Sequence, residues 1–104
     1  VSAKLWLVFH DEHAYYADVI GANSAINAAK IYTATIKKNQ LQDIAYAIKN
    51  AYTPDALDLP KEIYCVPMFA ADEYHDVQIS SDRKYKAQAF TELFDWSKKE
   101  TVKL

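Results

Sequence analysis

Leu41-Gln42-Asp43-Ile44-Ala45-Tyr46-Ala47-Ile48-Lys49-Asn50-Ala51-Tyr52 decides how the chain is read. Leu41, Ile44, Ala45, Ile48 and Tyr52 recur at i, i+3, i+4, i+7 and i+11, the spacing of one face of an α-helix. Asn39 with Gln42 three residues later has the form of a capping box, so a helix is expected to begin there. Its apolar stripe is expected in the core. On that reading Ile48→Ala would cost about 2–4 kcal/mol, the usual loss on emptying a buried branched aliphatic.

Toward the N-terminus a separate helix is expected. Ser24 can cap it, since its hydroxyl accepts from free amides of the first turn. Ala25, Ala28, Ala29, Tyr32 and Ile36 follow at helical spacing, with Ile26 and Ile31 widening the apolar side. Lys37 and Lys38 suit a last turn, where the helix dipole favours positive charge. Before this helix, Leu5-Trp6-Leu7-Val8-Phe9 is an apolar run of strand length, and Tyr15–Ile20 reads as its hairpin partner across His10-Asp11-Glu12-His13. Gly21 is the only glycine and lies where the chain would leave the sheet, with φ > 0 open to it.

Toward the C-terminus, Thr53-Pro54 and Leu59-Pro60 bracket a connection with room for one helical turn capped by Thr53. Ile63–Phe69 is a third strand, and Pro67, which has no N–H, makes it an edge, a bulge or an early stop. Val77–Ser80 is a short fourth strand. Residues 84–90 carry both a period-two and a helical pattern; the preferred reading is a strand to Phe90, then a helix capped by Thr91 and anchored by Leu93, Phe94 and Trp96. The expected fold is α+β, an antiparallel or mixed sheet of four to five strands on two central helices with a short C-terminal helix, in the order ββααββ(β)α. Residues 1–104 are expected to form a single globular domain.

Composition narrows the function classes. Hydrophobic residues make up 51% of 104, and eight of the aromatics are tyrosines, which places the chain among folded rather than disordered proteins. Net charge is −2, and Arg83 is the only arginine among twelve bases. Bidentate reading of phosphate or guanine uses Arg, so nucleic acid is disfavoured. Acids dominate 62–82 and bases 83–104, which reads as solvated surface. Cys65 is the single cysteine, which excludes an internal disulfide and a Cys-based zinc cluster; its apolar surroundings make it a small buried hydrophobe. One glycine leaves no room for a Gly-rich phosphate loop or dinucleotide fingerprint. No cofactor and no catalytic residue is assigned. Membrane association is not expected, and Val1-Ser2-Ala3, read as following removal of an initiator Met with no leader pattern, makes cytoplasm the expected location.

Two features bear on function. His10, His13 and His75 each adjoin acids, and alternating the chain direction through the elements brings the 10–13 and 72–76 loops to one end. Three imidazoles there could hold a divalent metal or act as acid–base groups, although His-rich turns are commonly only solvated. The second feature is a sheet with two apolar faces. Leu5, Leu7 and Phe9 oppose Trp6 and Val8; Ile63 and Cys65 oppose Tyr64, Val66 and Met68. A sheet wet on one side alternates apolar with polar, so both faces need cover. Trp6, Val8, Tyr64 and Val66 are therefore candidate interface residues for a protein partner or a second copy of the chain. The favoured function is a small non-enzymatic protein-interaction module, adaptor- or inhibitor-like and able to self-associate as a homodimer. The alternatives are a metal- or His-dependent enzyme using loops 10–13 and 72–76, and a nucleic-acid or small-ligand binder.

Overall fold

A computed structural model describes residues 4–11, 17–69 and 93–104. The fold is α+β, with four antiparallel strands and, among the described residues, one α-helix. The strands are β1 (Lys4–Phe9), β2 (Asp18–Ala22), β3 (Glu62–Pro67) and β4 (Glu100–Lys103), in the spatial order β2-β1-β3-β4. Register places Trp6 opposite Ile20 on one side and Pro67 on the other, and Ile63 opposite Val102.

The helix α1 runs unbroken from Ala25 to Lys49. Ser24 opens it as expected: its backbone is extended and its Oγ accepts from the Asn27 amide at 3.2 Å. The two helices expected from the sequence are one. Lys37-Lys38-Asn39-Gln40 looks like an end followed by a new cap, but it contains neither Gly nor Pro. Lys and Gln favour helix, and one Asn costs only a few tenths of a kcal/mol, too little to break a ladder supported on both sides.

The helix stops by local chemistry. Ala51 takes the left-handed conformation at φ 60°. The Ala51 amide donates to Ile48 O at 3.2 Å and the Tyr52 amide to Ala47 O at 2.8 Å, the paired bonds of a Schellman motif. The following chain, residues 53–60, forms no helical turn and returns beside α1. Gln40 grips its backbone from both sides: Nε2 donates to Asp58 O at 2.6 Å, and the Asp58 amide donates to Oε1 at 2.8 Å.

The first half of α1 lies on one sheet face. Ala25, Ala28, Ala29 and Tyr32 pack with Trp6, Val8, Ala22, Ile63 and Cys65, flanked by Ile20, Ile36 and Val102. The Trp6 indole donates to Ala22 O at 2.9 Å, tying β1 to the chain just before the helix. Ile26 and Ile31, expected to widen the buried side, are instead largely exposed. On the opposite face Leu7, Phe9, Ala17, Val66 and Phe94 form a second buried cluster flanked by Val19, Tyr64, Met68 and Leu93. Segment 93–96 contributes to it directly: Phe94 bridges to Met68, and Trp96 stacks at 5.7 Å from Phe9.

Two further expectations change and one is narrowed. Gly21 lies within β2 with no positive φ, and a Cβ there would meet Leu5 only at an ordinary 3.8 Å. The C-terminal element is not a helix. Asp95 caps one 3-10 turn, Trp96–Lys98, and the chain ends as β4, where Thr101 and Val102 favour a pleated edge. Pro67 ends β3, as one of its three options required. Met68 N donates to Leu5 O and Pro67 O accepts from Asp95 N, so the missing proline donor faces away from the β1 ladder. The expected strand Val77–Ser80, residues 84–90, the Tyr15–Tyr16 start of the hairpin's second strand and the Thr91 cap lie outside the described residues.

Two stability measurements check this architecture. Leu7→Ala, at a site with no exposure, should lower unfolding stability by about 2–5 kcal/mol, whereas Ile48→Ala, 65% exposed, should move it by less than about 0.5 kcal/mol. Ala51→Gly should raise stability by roughly 0.5–1 kcal/mol, because glycine holds a left-handed φ without the Cβ clash. Urea titrations of the three variants read all of these effects.

Candidate functional site

The one helix carries two apolar stripes that point in different directions. Tyr32 and Ile36 face the sheet. Leu41 and Ala45 stand nine positions further on from each, about two and a half turns at 3.6 residues per turn, so they emerge on the far side. The helix length adds to this. Twenty-five residues span about 37 Å at 1.5 Å each, while strands of four to six residues span roughly 13–20 Å. The last turns of α1 therefore extend past the four described strands.

The returning chain covers one flank of this distal half. Gln40, Asp43, Ile44 and Ala47 meet Thr53, Asp55, Ala56 and Asp58 around a cleft of about 460 Å³. Among the described residues, no element covers the other flank. Ala34, Lys37, Lys38, Leu41, Gln42 and Ala45 line a shallow, mainly apolar hollow of about 430 Å³. Leu41 is 48% exposed, and Ile48 and Tyr52 are each 65% exposed. Charge is divided across the surface, with Lys37 and Lys38 at the rim of the open hollow and Asp43, Asp55 and Asp58 lining the covered flank.

The four interface candidates read from the sequence do not share a surface. Trp6 and Val8 lie beneath α1 and Val66 lies in the second cluster, all buried by the chain itself. Tyr64 is half-buried against Phe9 at 5.4 Å between centroids, with the Lys99 Nζ 5.1 Å above its ring. The double-sided apolar pattern corresponds to two buried clusters, one on each sheet face, both formed by residues of this chain rather than by a partner at Trp6, Val8 or Val66.

Of the histidines, His10 follows β1, and its Nδ1 lies 2.6 Å from the Tyr32 hydroxyl, joining the strand end to α1. His13 and His75, with the 72–76 loop, lie outside the described residues. Among the described residues no group of three His, Cys, Asp or Glu side chains could hold a metal ion. No helix among them is long and apolar enough to cross a membrane.

Cys65 sits on the helix face of β3, its Sγ 3.5 Å from Ala25 O. Burial, with a smaller push from the Glu100 carboxylate, raises its pKa to about 11. A thiol held neutral this way is a packing element rather than a nucleophile.

No protein-family model matches the chain, and no curated protein or solved structure is significantly similar to it. The surface just described is the part of the molecule that sequence reasoning placed wrongly. The signal was present: the nine-residue offsets between Tyr32 and Leu41 and between Ile36 and Ala45 turn the second stripe away from the first on any continuous helix.

The state of Cys65 is testable. At pH 8 a disulfide reagent such as dithiobis(nitrobenzoate) should label the native protein far more slowly than the protein in urea. The raised folded pKa also fixes the sign of a pH effect. The contribution of Cys65 to stability is fully present below the unfolded value near 9 and is lost as pH rises from there to about 11. The loss should be absent in Cys65→Ala, measured as the difference between the two proteins' denaturation midpoints across that range.

Proposed function

We propose that this protein is a non-enzymatic interaction module that offers the open flank of distal α1 to an amphipathic segment of another polypeptide. The observation that carries the reading is the exposure of Leu41 and Ile48 on a helix that the rest of the fold already holds in place, with Tyr52 exposed just past its end. Exposed apolar side chains scattered singly need no explanation, whereas a row of them along one helix flank resembles the binding faces of helix-in-groove and helix-pair complexes.

Preorganisation supports the same reading. A free helix of about twelve residues is marginal in water. Distal α1 is different, because its proximal turns are anchored on the sheet, its end is closed by the Schellman bonds, and its covered flank is clamped through Gln40. A partner would therefore meet a surface that is already ordered, which removes much of the entropy loss of binding. Leu41 and Ala45 in the middle of the hollow with Lys37 and Lys38 at its rim follow the apolar-centre, polar-rim anatomy of a protein interface.

Site-specific photocrosslinking tests the reading. A photoreactive amino acid replacing Leu41 or Ala45, in cells that make the protein, should give discrete protein adducts, either with a second copy or with a different protein. The same residue placed at the exposed position of Lys61 should give none of those adducts. Equal, diffuse labelling from all three positions would remove the distal helix as a contact surface.

A further inference from the structure

We draw no further inference here: the strongest candidate, the shallow apolar hollow along Ala34, Leu41 and Ala45 on the distal half of α1, belongs to the surface already described, and nothing among the described residues shows what covers it.

Discussion

The contact on which the rest of the structure depends is between three alanines and the middle of a sheet. Ala25, Ala28 and Ala29 present almost no side chain, so the backbone of α1 settles close on Trp6, Val8, Ile63 and Cys65. A larger residue at these helix positions would lift it away and open the space that the indole of Trp6 and the thiol of Cys65 now fill. Ser24 fixes where the helix begins, and the Trp6–Ala22 bond fixes the chain that feeds it. Once its first turns are seated, the direction of the whole helix is set, because an α-helix of this length without Pro or Gly has no point at which to turn.

Much of this was legible in the sequence. The apolar run at Leu5–Phe9, the Ser24 cap and the stripe from Ala25 to Ile36 are each decided by residues within a few positions of one another and appear where the local pattern places them, whereas Pro67 left an edge, a bulge and an early stop open and the structure takes the last. The two apolar faces of the sheet were also legible as a pattern. What fills them was not, because that depends on elements distant in sequence: α1 on one side, and residues such as Phe94 on the other. Trp6 and Val8 thus looked like contact residues and prove to be core.

The failure at residues 37–40 has a different origin. Helix termini are recognised by residue type, and Lys-Lys-Asn is compatible with an end. Compatibility is weaker than a requirement, and only Pro, Gly or a competing tertiary contact forces a stop. The same ambiguity hid the closing strand. Leu93, Phe94 and Trp96 fit a helical face, but Asp95 spends its carboxylate on a 3-10 turn, accepting from the Ser97 amide and hydroxyl, and frees the chain to pair with β3. In both places the local signal was even, and the neighbouring element chose.

The continuity of α1 explains why its distal half stays helical on a flank that no described element covers. Leu41 and Ile48 gain nothing from the sheet, so burial does not hold their backbone in place. What does so is propagation: each added turn extends a helix already nucleated on the core, at a step free energy near zero for Lys, Gln, Leu and Ala. The returning chain then adds the Gln40–Asp58 bonds on one side only. A second such clamp on the other side would have closed the surface. Among the described residues no such clamp lies on that side between Lys37 and Ala45, and the proposal that the distal half serves contact starts from this difference between the two flanks.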